Sequence, residues 1–346
     1  MSKKVVVIGG GPAGMESATY LANFGFDVSL VEKEDAIGGK LNAWDRLFPS
    51  MRPGSEVKDF LEKGNQLSNV NVLLNTEIEK VDRNGSQMKL HTSKGEQIEA
   101  DAVVVATGFE TFDATKKEEY GYGIYDNVIT SKDLERIFRE HKKIVRADGK
   151  PVKRVGIVHC VGSRDEKAGN IYCSKVCCVT GVKQAIEINE AIPDSEVFCF
   201  YMDLRMFGMQ FEELYKEAQE KHGVQFIRGR LSEAAEDKDG SVIVKVEDTL
   251  SGRPLKMSVD LLILLVGFVP SPGTTKMGKL FGIPFNSNRF LESDDEHTGT
   301  GMTKVPGVFM AGTCTAPRTI TNSILDARST AMRVAGYLND WKTEKR

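Results

Sequence analysis

Lys3-Lys4-Val5-Val6-Val7-Ile8-Gly9-Gly10-Gly11-Pro12-Ala13-Gly14 is the stretch from which the fold is read. Its first half is a continuous β-branched run, the pattern of a strand covered on both faces. The glycines follow at once, and a helical pattern runs from Ala13 to Phe24 until Gly25 stops it. In such a turn Gly9 permits the tight bend, Gly11 lets the backbone approach a pyrophosphate, and Gly14 allows close helix–strand packing. The helix start at Pro12 and Ala13 adds unpaired N–H groups and partial positive charge for the same anion. A second strand, 27–31, ends at Glu32-Lys33, where the carboxylate would accept hydrogen bonds from ribose hydroxyls. Glycines alone are a weak signal. With the strand before, the helix after and the acid at the right distance, a dinucleotide site is expected rather than a plain glycine turn.

Working outward, Gly38-Gly39-Lys40-Leu41 resembles the second glycine turn of flavoproteins with two dinucleotide-binding domains, which favours FAD over NAD. Residues 98–107 read as one strand closing on Ala106-Thr107-Gly108, similar to the second pyrophosphate-side motif of that group. Between them, 76–81 and 87–92 alternate and are joined by Asn84-Gly85, a tight hairpin signal. A β-meander of this kind crosses the flavin domain in such proteins and would bring Glu77 and Ile78 near the adenine. Farther on, 308–313 resembles the last FAD motif, with Gly312 followed by Thr313 where many relatives carry Asp. A hydroxyl can still bond there, so FAD is expected to bind. A helix is expected from Ile324 to Leu338, with Ser323 and Asp326 as a capping box and its N-terminus aimed at the flavin O2 or phosphate edge. Cys314, beside this motif, reads as packing.

The most unusual stretch is His159-Cys160-Val161-Gly162-Ser163-Arg164-Asp165, continued by Tyr172-Cys173-Ser174-Lys175-Val176-Cys177-Cys178. It holds four of the six cysteines. Four thiolates is the number one cubane iron–sulfur cluster needs, and clustered cysteines without a secretory signal are more often metal or redox sites than disulfides. Buried small hydrophobes are the plain reading, but Gly162, Ser163, Arg164, Asp165 and Lys175 suit a core strand poorly. Residues 154–158 form a β-run that should open a second nucleotide-binding-like unit. The glycine loop that NAD(P)H would need after it is missing, and cysteine stands there instead.

Here the chain resembles the flavin-and-cluster core of the HdrA family, the A subunits of heterodisulfide reductase. The resemblance is carried by Cys-Val-Gly-Ser-Arg-Asp, Tyr-Cys-Ser-x-x-Cys-Cys and the stretch Tyr201 to Gly208, and it covers nearly the whole chain. It implies one 4Fe–4S cluster on Cys160, Cys173, Cys177 and Cys178 beside FAD. It also implies a lysine near the flavin N5 at Lys183, other heterodisulfide reductase-like subunits as partners, and a homodimer. An ordinary surface lysine is the competing reading of Lys183. Long members carry ferredoxin-type cysteine repeats, absent here, so the chain looks like the short form of sulfur-oxidising complexes. Flavin-based bifurcation is not implied for it. Cys177 and Cys178 are crowded as ligands of one cluster, which leaves open whether both bind. A vicinal or catalytic disulfide is the competing idea. NAD(H) has no glycine fingerprint, though docking at the flavin stays open.

The remaining sequence bounds the answer. In 346 residues, 46 Lys and Arg face 49 Asp and Glu, so the net charge of −3 offers no basic field for nucleic acid or anionic lipid. No signal peptide is visible, and the longest apolar run, 261–266, is far too short to span a bilayer. A reducing cytoplasm is expected. Two Rossmann-like, three-layer α/β domains of the glutathione/thioredoxin reductase type are expected. A discontinuous FAD domain would take 1–112 and 255–346, and an inserted domain, 113–254, would carry the cysteines. Residues 261–266 read as the strand returning to the flavin domain. Residues 110–150 read as an exposed connection with one helix, 131–141, and no chemistry of its own. Phe211, Leu214, Tyr215 and Ala218 fall at helical spacing and read as packing, and Cys199 as a buried cysteine. The function expected is an electron-transferring flavin oxidoreductase. A stand-alone NAD(P)H-dependent flavin disulfide reductase without a cluster is the second reading, and a binding protein keeping FAD as structure the third.

Overall fold

The structure, a computed structural model, describes residues 2–85 and 87–340. The chain divides into two units. One takes the residues up to 42, 55–110 and those from 270 onward; the other takes 43–54 and 111–269.

In the first unit five strands form a parallel sheet in the order 308–310, 102–105, 4–8, 27–31, 70–73. Val5, Val6 and Val7 are at most 1% exposed, because a central parallel strand is covered on both faces. The helices Pro12–Asn23 and Ile320–Leu338 pack on each other beside this sheet. An antiparallel meander of 78–84, 87–92 and 97–100 adds a further layer. Its core joins Val6, Val31, Ile78, Leu90, Val105, Met277 and Met310. Residues 98–107 are thus not one strand. The break falls at Asp101, whose Oδ2 accepts Lys4 N–H at 2.8 Å; 97–100 pairs antiparallel in the meander and 102–105 runs parallel in the main sheet. Hydrophobic pattern cannot separate two consecutive strands that belong to different sheets.

The second unit repeats the plan: strands 128–130, 261–266, 154–161, 196–201 and 225–228 form a parallel sheet, with a meander of 231–236, 242–248 and 253–259. Leu261–Val266 is therefore an inner strand of this unit, not a return to the first. Accordingly the chain leaves the second unit at 269, beyond the expected 255, and 43–54 belongs to the second unit as well. Nor is 110–150 a bare connection. Val128–Thr130 is the edge strand, and the helix Ser131–Arg139 is capped by a Thr130–Asp133 capping box and buries Glu135. Among the described residues no helix is long and apolar enough to cross a membrane.

Candidate cofactor crevice and cysteine site

In the first unit the expected glycine motifs converge. Gly9 has φ +110°, and a Cβ there would lie 2.5 Å from Ala106 O. At Gly14 a Cβ would lie 1.7 Å from Gly9 O, and at Gly312 2.6 Å from the Ala13 Cβ. Thr313 Oγ1 comes close to Gly108, and Gly39 lies over the Gly11 backbone. At Gly11, by contrast, a side chain would meet nothing within 4 Å. An open face thus lies at the start of the helix Pro12–Asn23, which has no side-chain cap and whose first-turn N–H groups lack intrahelical acceptors. Glu32 is 6% exposed; its Oε2 accepts Gly10 N–H at 2.6 Å and its Oε1 accepts Glu34 N–H at 2.9 Å. Each oxygen keeps a spare lone pair. Lys33 instead extends outward and pairs with Glu34 at 3.1 Å. Leu41 is buried, and Lys40 pairs with Glu110. Ile78 is 1% exposed; its side chain belongs to the core and does not line the crevice.

Two supports of this crevice have no signal in the sequence. Thr274 Oγ1 donates to Gly108 O at 2.9 Å, and Ser271 Oγ donates to Thr107 O at 2.9 Å. Both sit at the start of the helix Pro272–Phe281 and pin the turn 106–108. Asp326 is not half of a capping box. The last helix starts at Ile320 with Thr319 as its cap, Ser323 donates to Thr319 O, and Asp326 Oδ2 accepts Gly312 N–H at 2.8 Å. On the same loop Arg318 donates to Thr315 Oγ1, while its Nε is buried without a partner. Cys314 is fully buried and its thiol faces the Val105 and Ala311 carbonyls. Burial pushes that thiol up to about 12. Replacing Gly14 by alanine should force the helix off the strand at a cost of about 1–3 kcal/mol and lower retained flavin, both read from a urea titration and absorbance of the purified protein.

In the second unit the cysteines occupy the place that the glycine turn holds in the first: after the central strand and at the start of the next helix. Strand 154–161 pairs Val158 with Leu264 but Val161 with Val266, so the register slips at His159-Cys160. A bulge of this kind re-aims side chains, and Cys160 takes φ +61°. The loop beyond is tightly tied. Ser163 Oγ donates to Tyr172 O at 3.1 Å and accepts Ser174 N–H at 2.9 Å, Asn170 Nδ2 donates to Gly162 O, and the Tyr172 hydroxyl donates to Phe268 O at 2.8 Å. Asp165 closes it, accepting from Lys117 and Arg230 at 2.8 Å each. Burial opposes the Asp165 charge, but Lys117 and the Ala168 N–H outweigh it, and the carboxyl lies below its ordinary range. A carboxylate so held contributes stability above the unfolded value of about 3.9 that is lost as pH falls. Asp165→Asn should therefore cost about 2–3 kcal/mol at neutral pH, short of a fully broken buried pair because Lys117 keeps Glu119 at 2.6 Å. That difference should shrink in denaturant titrations run at acid pH.

Cys177 and Cys178 are the first residues of the helix Cys177–Ala191 and, like Cys160, are buried; Cys173 is half-buried. Lys175 N–H donates to Cys173 Sγ at 3.3 Å, and Cys178 Sγ donates to Asp203 O at 3.5 Å. Cys160 lies below the ordinary thiol range because Cys177 hydrogen-bonds to it, with Arg164 and Arg205 nearby. The same bond, with burial, lifts Cys177 well above that range, and burial lifts Cys178 to about 11. Among the described residues no three His, Cys, Asp or Glu side chains are gathered to hold a single metal ion. Cubane ligands need not be, since each thiolate takes a separate iron corner. His159 packs on Gly181, with both ring nitrogens buried and unpartnered, and burial lowers it to about 4.

Residues 3–332 match the family model described as pyridine nucleotide-disulphide oxidoreductase. The chain belongs to this family. It is 31% identical to the A subunit of the H(2):CoB-CoM heterodisulfide,ferredoxin reductase of Methanothermobacter thermautotrophicus, over 96% of this chain and 63% of that protein. It is also 31% identical to the iron-sulfur A subunit of the CoB–CoM heterodisulfide reductase of Methanocaldococcus jannaschii, over 97% of this chain and 64% of that protein. The chain thus spans less than two thirds of these relatives. Among solved structures it is similar to thioredoxin reductase of T. acidophilum (TM-score 0.66, 19% identity, 98% of this chain and 99% of that one). It is also similar to the bacillithiol disulfide reductase of Staphylococcus aureus (TM-score 0.63, 16% identity, 99% of this chain and 100% of that one). The two-domain α/β fold of this pyridine nucleotide-disulphide oxidoreductase is that of the thioredoxin reductase type.

Lys183 is not a surface residue of this oxidoreductase. Its side chain is 2% exposed, and its ammonium donates to Glu135 Oε1 at 2.5 Å and to Arg46 O at 3.1 Å, with Glu187 Oε2 at 3.0 Å. Burial works against the charge, but the two carboxylates outweigh it and hold the group above its ordinary value. Glu135, on the helix expected to carry no chemistry, also accepts from Gln184 Nε2 at 2.7 Å. No spacing rule links residue 135 to residue 183, so only the fold could bring them together.

Proposed function

We propose that the chain is an electron-transferring oxidoreductase subunit that binds one FAD in the first unit and one 4Fe–4S cluster on Cys160, Cys173, Cys177 and Cys178 in the second. The observation that carries this is the shared topology of the two units. After equivalent central strands one carries an open glycine crevice and the other a tied cysteine loop. When bound, the flavin would supply two-electron chemistry and the cluster one-electron exchange. The chain's own residues do the holding. The open face at Gly11 and the helix N–H groups fit a pyrophosphate, Glu32 keeps lone pairs for ribose hydroxyls, and the orphaned Arg318 Nε offers a donor. Thr313 supplies a hydroxyl in place of a carboxylate. In the second unit, Arg164 and Arg205 offset thiolate charge, and the network around Asp165 keeps the cysteine loop in place. Lys183 is proposed as the polar group that serves the flavin reaction, held by Glu135 and Glu187.

By relation to heterodisulfide reductase subunits, the partners proposed are other subunits of such an assembly, with a homodimer as its base. The setting proposed is sulfur or thiol–disulfide metabolism in the cytoplasm, as in the short form of sulfur-oxidising complexes. Protein purified without oxygen should carry about four irons, four acid-labile sulfides and one FAD per chain. Flavin without iron, in protein never exposed to air, would overturn the cluster.

One observation favours a second reading. Cys160 and Cys177 share a hydrogen bond that places one towards the thiolate and the other towards the thiol, as in a dithiol pair. This would be an NAD(P)H-dependent disulfide reductase. It predicts flavin bleaching by NADPH and turnover of a small disulfide by iron-free protein. The strand 154–161 leads into a bulge at Cys160 and no glycine turn for a nicotinamide pyrophosphate follows it, which weighs against it.

A further inference from the structure

The helix that begins with Cys177 carries a second polar cluster two turns on. Lys183 stands five residues beyond Cys178, about 7 Å along the axis, and Glu187 one further turn away. Lys183, Glu135 and Glu187 have side chains 2%, 5% and 2% exposed. Their partners are not evenly shared. Glu135 Oε1 accepts both Lys183 and Gln184. Glu187 lies 3.0 Å from the Lys183 ammonium and 3.9 Å from Arg46 Nε, yet neither of its oxygens takes an aligned hydrogen bond. Arg46 spends its other end on Glu190 at 2.8 Å.

We propose that Glu187 is a proton-accepting site that takes up a proton from solvent when an electron is added at the cysteine site heading the same helix. The proposal rests on the iron–sulfur reading above. The electron comes from reduced flavin, or in the test from dithionite, and stays at the cysteine site. The proton forms an O–H bond on the Glu187 carboxylate, so the charge of the unit is unchanged. In a medium of low dielectric, added negative charge along the helix raises the proton affinity of the least solvated carboxylate. Burial already pushes Glu187 up to about 7, against Lys183, with Glu135 adding to the rise and Arg46 opposing it. Asp45 and Glu190 bear on it through Arg46. The other elements packed on this helix bring the apolar Leu214, Ala218 and Leu265 and two buried titratable groups, His159 and, on the strand Glu196–Tyr201, Cys199, whose thiol burial holds far above its ordinary range.

Below about pH 7 Glu187 is already protonated, and the potential of the cysteine site should not change with pH. Above it the potential should fall with pH, by at most about 59 mV per unit for a one-electron couple, until Glu187 is ionised in the reduced state as well. The test is a potentiometric titration of the anaerobic full-length chain between about pH 6 and 9, followed by electron paramagnetic resonance, on wild type and Glu187→Gln. The expected result is a slope in wild type and a pH-independent potential in Glu187→Gln. A flat wild-type profile, or an unchanged slope in the variant, would overturn the proposal. If Glu187→Gln does not fold, the reduced-minus-oxidised infrared spectrum of wild type decides. A protonated-carboxyl band should grow on reduction above pH 7, and no growth would sink the idea. Iron-free protein would remove the underlying reading and the proton site together, whereas iron-bearing protein with a flat potential would remove the proton site alone.

Discussion

Cys160→Ala should lose its iron and keep its flavin. The iron content is expected to fall from about four per chain to below about one, with FAD unchanged, in protein purified without oxygen. The separation of the two effects has a structural basis. Gly9, Gly11, Gly14, Ala106, Gly108 and Gly312 are all in the first unit, and every member of the cysteine loop is in the second. Cys173→Ala should behave alike, although Cys173 is the more exposed of the set. Cys199→Ala is the control. Cys199 is 0% exposed on the strand Glu196–Tyr201, and burial raises its thiol far above the ordinary range, so it should keep full iron. Equal iron loss in Cys199→Ala and Cys160→Ala would mean that general instability, not ligation, removes the metal.

The second large effect concerns stability. Lys183→Met keeps the length of the side chain but leaves Glu135 and Glu187 facing each other without the ammonium. Removing one partner of a buried ionic cluster costs about 3–5 kcal/mol, and urea unfolding should show a midpoint shift of that order. The loss should be smaller at pH 6 than at pH 8. Glu187 has a folded value raised to about 7 by burial; without Lys183 it rises further. A carboxyl raised on folding gives stability that is present below its unfolded value and lost as pH climbs through the folded one. Adding Glu135→Gln to Lys183→Met should recover part of the loss, since it removes one of the two unpaired charges. A loss independent of pH would show that packing, not charge, is what Lys183 supplies.

Much of the candidate site is legible in local sequence because its chemistry is local. The run Val5–Ile8 followed by Gly9 to Gly14 carries strand, turn and helix start within one dozen residues, and the observed strand 4–8 and helix Pro12–Asn23 follow it closely. The four cysteines, too, are visible as a group. Features that depend on pairing between distant segments are not. The split at Asp101, the placement of 261–266 inside the second unit and the partnership of Glu135 with Lys183 all arise from sheet order and helix packing. Thr274 and Asp326 support the turns at Gly108 and Gly312 through hydrogen bonds across 166 and 14 residues. No periodicity records such contacts.

The two-unit α/β plan, the glycine turn and the grouping of the cysteines are legible along the chain, because strand, turn and ligand chemistry are set by neighbours in sequence. The tertiary structure alone decided where each unit ends and that Cys160 sits on a bulge. It also decided that Ile78 belongs to the core, and that Lys183 is sealed between two carboxylates. The physical reason is that burial and electrostatics act through space. A lysine's role follows from what the fold packs around it, and its own position in the chain holds no trace of those partners.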